Sequence, residues 1–180
     1  MSHVFGLSSI PGERNLSDLN NFSRYYRQRM TAEVLLDAIS EVTGTPEKYA
    51  GMPPGTRAIQ LWDNRLPSYF LDVFGRSQRE SPCACGKSGA PTMAQALHLM
   101  NAPEIDKKIG NGNGRIAKLI SANKTNQQIV QQLSLAALGR TPTKREIRTA
   151  ERVFVGRSKK QAAEDFLWVL LNSYDFLFVR

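Results

Sequence analysis

Four times between Thr92 and Gln161 the chain repeats one short pattern: a hydroxyl residue, two others, then Glu or Gln. The instances are Thr92-Met-Ala-Gln95, Thr125-Asn-Gln-Gln128, Thr143-Lys-Arg-Glu146 and Ser158-Lys-Lys-Gln161. In each, the hydroxyl can accept from the backbone N–H three residues on, while the longer side chain reaches back to the N–H of the hydroxyl residue. Each opens a stretch with apolar residues at helical spacing. The stripes are Met93/Ala96/Leu97/Met100, Ile129/Leu133/Ala136/Ala137, Ile147/Ala150/Val153/Phe154 and Ala162/Ala163/Phe166/Leu167/Leu170. Gly139 and Gly156 stand where left-handed helix terminations belong. A further helix is expected from Arg115 to Ala122, after the GNGNG loop. The predicted fold is all-α: an irregular helical bundle of about seven helices, with a long ordered Pro/Gly-rich loop region and little or no sheet.

The first half carries weaker signals. Residues 1–16 read as a loose or partner-dependent arm, and residues 17–180 as a single helical domain. Ser17 is placed to cap a first helix containing Leu19, Phe22 and Tyr26. Thr31 to Thr43 is a clear helix with Val34, Leu35, Ala38, Ile39 and Val42 as its stripe, ended by Gly44 and Pro46. Residues 44–67 form an ordered loop in which Arg57 to Trp62 is the only extended candidate. Tyr69 to Phe74 is a short apolar piece.

With 180 residues and 41% apolar content, the chain is long enough to bury a core; a fold of this size buries roughly 70% of its unfolded surface. No run approaches the ~18 apolar residues of a membrane span. The first residues lack a basic stretch followed by an apolar one, which predicts no signal peptide at this end. Two cysteines cannot define a disulfide scaffold. The net charge of +8 permits an anionic partner without demanding one.

Chemistry would concentrate between Gly75 and Asn101, where both cysteines and His98 fall. The CACGKS segment suggests a phosphate loop, but Ser81 stands where the first glycine is required and Pro82 intrudes, so nucleotide binding is rejected. Cys83, Cys85 and His98 form a candidate metal set for zinc or another transition metal, one ligand short of the four that a structural zinc takes. His98 falls away from the Met93/Leu97/Met100 stripe and so does not read as a core histidine. The plainer alternative is a pair of packed thiols, or a disulfide where the compartment oxidises. A nucleophilic thiol beside Arg76, Arg79 or Lys87 is conceivable, but no feature fixes its geometry. GNGNGR follows no strand and reads as a turn between helices. No catalytic or cofactor-binding residue is assigned.

Two basic stretches bear on partners. Lys144, Arg148 and Arg152 recur every fourth residue opposite Ile147 and Phe154, a solvated face that offers an anionic-partner surface. Arg24, Arg27 and Arg29 flank Tyr25 and Tyr26, an interleaving that can grip nucleic acid but more often marks a helix with tucked tyrosines. Nucleic acid is therefore the third choice of partner.

Several of these pieces together resemble the C-terminal part of the planctomycete PSD domain, catalogued as domain of unknown function 1553. They are Arg29-Met-Thr-Ala-Glu-Val-Leu-Leu-Asp-Ala-Ile39, Phe74-Gly-Arg-Ser-Gln-Arg79, Cys83-x-Cys85 and Gln95-Ala-Leu-His-Leu-Met-Asn101. The start Arg140-Thr-Pro-Thr-x-x-Glu146 and Asp165-Phe-Leu-Trp168-x-Leu-Leu-Asn172-Ser-x-x-Phe176 complete the series. After the second cysteine the family tends to carry an acid and an arginine, where this chain has Gly86 and Lys87. The resemblance implies a place in long exported proteins, often behind a cytochrome-c-like domain. It implies an extracytoplasmic location, where a Cys83–Cys85 disulfide gains weight, and it implies no activity. The chain has no C-x-x-C-H and so no c-type haem of its own. The expected function is a non-catalytic helical interaction module docking on a protein partner or on upstream domains. The alternative is a metal- or thiol-dependent site at Cys83, Cys85 and His98.

Overall fold

The computed structural model describes residues 3–18, 20–62, 65–76 and 92–179. Among them are nine α-helices: α1 (Ala32–Thr43), α2 (Tyr69–Val73), α3 (Met93–Asn101), α4 (Pro103–Ile109), α5 (Arg115–Ser121), α6 (Asn126–Leu138), α7 (Lys144–Val153), α8 (Lys159–Leu171) and α9 (Tyr174–Leu177). The sheet content is one antiparallel pair, β1 (Gln28–Arg29) with β2 (Phe178–Val179), in the register Gln28 to Val179. The fold is all-α, as expected, with more helices than the seven anticipated.

The repeated cap signature explains why the second half is regular. Thr92, Thr125 and Thr143 each form the full reciprocal box with Gln95, Gln128 and Glu146. The fourth instance differs. Ser158 accepts from the Gln161 N–H at 3.3 Å, but its hydroxyl donates to Gln161 Oε1 at 2.9 Å, leaving the box half made. Three helices were not anticipated from the sequence: α2, α9 and the longest of them, α4. Pro103 takes its first position, Glu104 and Asp106 sit in its first turn and Lys107 and Lys108 in its last, complementing the helix dipole.

The core gathers on α8, which packs against α4, α5, α6, α7 and α9. Ala162 and Ala163 on its inner face are fully buried and let neighbouring helices approach closely, while Phe166, Leu167, Leu170 and Leu171 fill the space around them. A second layer is α1, set against α2, α4, α5 and α6. Its buried stripe is Ala32, Leu35, Leu36, Ile39 and Val42; Leu36 takes the inward place expected for Val34, which is exposed.

The end of α1 meets the start of α5. Gly44 closes α1 with φ 68°, and Arg115 donates from Nε to Val42 O at 2.7 Å and from Nη2 to Glu41 O at 2.9 Å. Gly114 suits the close approach here: a Cβ would lie 3.0 Å from Thr43 O and 3.1 Å from Asn111 O, tighter than ordinary contact. The GNGNGR segment is thus a helix-joining turn, as its context indicated.

Two expectations fail in the first half. No helix starts at Ser17. Asp18 instead accepts from the N–H groups of Asn20, Asn21 and Ser23, and Phe22 takes a φ of 54°. A short acidic side chain bonding its own neighbours offers the backbone an alternative to the helix. The segment after Arg57 is not extended either. Ala58–Gln60 form a 3-10 turn whose N–H groups at Ala58 and Ile59 are held by the carboxylate of Asp37 at 2.7 and 3.1 Å.

The start of α7 is tied to α9 by charge. Arg140 grips Glu146 through two bonds of 2.8 and 3.0 Å and reaches Asp175 at 3.1 Å. The Arg140 guanidinium, with the Thr143 N–H, holds the Glu146 carboxyl at about 2, against an ordinary 4.5. A carboxyl whose pKa is depressed on folding adds stability above its unfolded value, and that stability is lost as pH falls toward the folded one. Glu146→Gln is therefore expected to remove an acid-limb loss falling between pH 4.5 and about 2. Glu146 is 39% exposed and screened, so the share is about 0.5–1 kcal/mol. Urea unfolding of both proteins down the acid limb checks it, and parallel curves for the two would count against the assignment.

Candidate functional site

Cys83 and Cys85 lie outside the described residues, as do Ser81, Arg79 and Lys87. Of the expected metal set only His98 is described. Contrary to expectation it packs like a core histidine: half-buried on α3, its ring meets Tyr69, Phe70 and Phe74 edge-on at 5.2, 5.6 and 6.1 Å between centroids. Its Nε2 is buried with no hydrogen-bond partner among the described residues. Among the described residues no group of three His, Cys, Asp or Glu is placed to hold a metal ion.

The face of α3 is the larger correction. Met93, Leu97 and Met100, expected in the core, are 77%, 52% and 52% exposed. The inward face carries Gln95, His98 and Leu99 instead. Gln95 decides the orientation. Only 5% exposed, it accepts from its own cap residue Thr92 at 3.2 Å and donates to Val73 O at the end of α2 at 3.0 Å. Its Oε1 also accepts from Arg29, which comes from β1 and donates in addition to Phe74 O at 3.3 Å. The Arg29 guanidinium lies 5.7 Å from the Phe74 ring centroid. Turning Met93 inward would bring Gln95 out and break its bonds to Val73 O and Arg29.

Arg29 opens onto a groove of about 410 Å³ between α3, α8, α9 and β2. Its walls are mainly apolar, with Phe74, Leu99, Met100, Trp168, Leu177 and Phe178 prominent. A wider cleft of about 530 Å³ lies where the loop after α1 faces α4. There Lys108 is buried, and its ammonium donates to Thr45 O at 2.7 Å and Ser40 Oγ at 3.2 Å and pairs with Glu47 at 3.0 Å. All three of its donors are used, so Lys108 is a strut rather than a nucleophile. The Tyr49 hydroxyl beside it is buried without a partner, and burial, with the charges of Glu47 and Asp37, pushes its pKa well above the ordinary value.

The basic residues separate. Lys144, Arg148 and Arg152 lie on one exposed face of α7 with no acid in bonding range among the described residues. Tyr25 and Tyr26 sit on no helix and are half-buried. Tyr25 meets Phe5 at 5.9 Å, while Tyr26 meets Phe22 at 5.4 Å and carries the Arg24 guanidinium 4.9 Å from its ring centroid. Gln95 and Arg29 went unrecognised as partners in the sequence. The cap signature and the basic run singled out each residue alone, and nothing local joined them.

Fold and site together define an all-α domain with a grooved helical face. The chain belongs to the family described as PSD1, protein of unknown function (DUF1553), whose model matches residues 1–154. The match takes in the N-terminal stretch and ends where α7 ends, so it does not include the motif around Trp168. Neither the comparison with curated proteins nor that with solved structures finds a match. No helix among the described residues is long and apolar enough to cross a membrane.

Proposed function

We infer that this domain is a non-catalytic helical interaction module, docking on a protein partner or on further domains of its own polypeptide. One observation carries it. α3 turns Met93, Leu97 and Met100 to solvent at helical spacing while Gln95 locks its other face. A contiguous apolar stripe on a fixed helix suits a protein interface. The exposed cations Lys144, Arg148 and Arg152, with no ion pair among the described residues, supply a second contact, to an acidic region of the partner. The setting we propose is an exported protein of the cytochrome-c-associated kind, outside the cytoplasm. Nucleic acid remains the third choice, since Tyr25 and Tyr26 are engaged within the chain.

Oxidative footprinting tests the docking. Met93 and Met100 are expected to oxidise at least about fivefold more slowly when the chain is joined to or mixed with the domains that precede it in such proteins. Equal rates in both settings would sink the interaction role of α3. The second reading is a metal at Cys83, Cys85 and His98, favoured by the unpartnered Nε2 of His98. Elemental analysis of untagged protein decides it. Stoichiometric zinc, iron or copper, lost in Cys83→Ser, would replace the purely structural role.

A further inference from the structure

We propose that the groove between α3, α8 and α9 binds a small apolar monocarboxylic acid. Its carboxylate pairs with Arg29, and its hydrocarbon body lies against Phe74, Leu99, Trp168 and Leu177. The assignment shares only Met100 with the docking stripe of α3; Met93 and Leu97 do not line the groove.

The charge of Arg29 is the starting point. The guanidinium is partly buried, and both of its bonded acceptors, Gln95 Oε1 and Phe74 O, are neutral oxygens. No carboxylate lies within ion-pair range of it among the described residues. Burial alone pulls its pKa below the ordinary arginine value, which agrees with a cation lacking a counter-charge. A guanidinium carries five N–H donors in a planar fork. Two are accounted for, and the side chain borders the groove. A charge held in a mainly apolar recess is unfavourable until an anion meets it, and a carboxylate matches the fork with two parallel bonds.

The walls narrow the ligand class. They are apolar apart from Arg29 and a few amide and hydroxyl groups. Asn172 uses its Nδ2 on Trp168 O at 2.9 Å. One cation balances one negative charge, so a monoanion fits where a phosphate dianion would remain half-compensated. The volume of about 410 Å³ lies in the lower range of small-molecule sites.

Isothermal titration of the purified chain tests the assignment, with octanoate and 4-phenylbutyrate as probes and their primary amides as neutral counterparts. At least one acid is expected to bind with a dissociation constant below about 1 mM, and its amide at least about tenfold more weakly. Arg29→Met should abolish the difference. Because that change also removes bonds within the fold, Met100→Glu provides an independent check. Met100 is half-exposed at the groove wall, so the variant should fold normally and bind the acid at least about tenfold more weakly by like-charge repulsion, whereas Met100→Gln should not. Equal binding of acid and amide overturns the proposal. So does absence of saturation by either acid in folded protein, or undiminished binding by Met100→Glu. A short peptide ending in a free leucine carboxylate should compete no better than octanoate; clearly tighter binding of the peptide would overturn the free acid as the ligand.

Discussion

Leu167→Ala is expected to lower the stability of the domain by about 3–5 kcal/mol, a large part of the 5–15 kcal/mol that holds a typical domain together. Leu167 is 0% exposed, on the one helix that touches α4, α5, α6, α7 and α9. Truncation there loses the transfer energy of the removed carbons and leaves a void. The wall helices cannot close it freely, because each is already held by its own contact with α8, and α6 and α7 by their caps as well. Val169, two residues on and 53% exposed, is the control on the same helix. Val169→Ala should change stability by no more than about 0.5 kcal/mol. Urea unfolding of the two variants reads the difference directly. Near-equal midpoints would mean that α8 is not the centre of the core.

Gln95→Ala carries the second large effect, about 2–4 kcal/mol, of which little comes from buried carbon and most from unpaired polar groups. Removing the amide strips Val73 O of its donor, and takes an acceptor from Arg29 and from the Thr92 N–H. The residue left worst off is Arg29, which has no counter-ion among the described residues. Gln95→Glu separates the contributions. It keeps the oxygen acceptors and gives Arg29 a charged partner, losing only the donor to Val73 O, so it should destabilise by less than the alanine variant. A double-mutant cycle with Arg29→Met gives the coupling between the two residues. Additive losses would show that the bond between them contributes nothing.

These two residues also mark how far the sequence could be read. Leu167 was legible, because five apolar residues at helical spacing behind a serine cap leave a helix little choice of which side to bury. Gln95 was legible only as a cap. Its bonds to Val73 and Arg29 span 22 and 66 positions, and no local pattern announces them. The same gap explains His98. On α3 both faces hold apolar side chains, Met93/Leu97/Met100 on one and Leu99 with His98 on the other. Hydrophobicity favoured the first, while the rings of Tyr69, Phe70 and Phe74 received the second.

The N-terminal stretch failed for the opposite reason. Spacing at Leu19, Phe22 and Tyr26 suggested a helix, but Asp18 sits where its carboxylate captures three following N–H groups. That competition is local, yet helical periodicity does not register it.

By itself, then, the chain determined where the helices with hydroxyl caps begin, that they are helices, and which sides of α6 and α8 are buried. Caps act within four residues and so form largely independently of their surroundings, and the stripes of α6 and α8 had no competing face. Only the tertiary structure decided which face of α3 turns inward, how Arg29 comes to border an apolar groove with no counter-charge among the described residues, and that three methionine and leucine side chains are left to solvent. Those outcomes depend on groups brought together from distant parts of the chain. There the satisfaction of one buried amide and one partly buried guanidinium outweighed the burial of Met93, Leu97 and Met100.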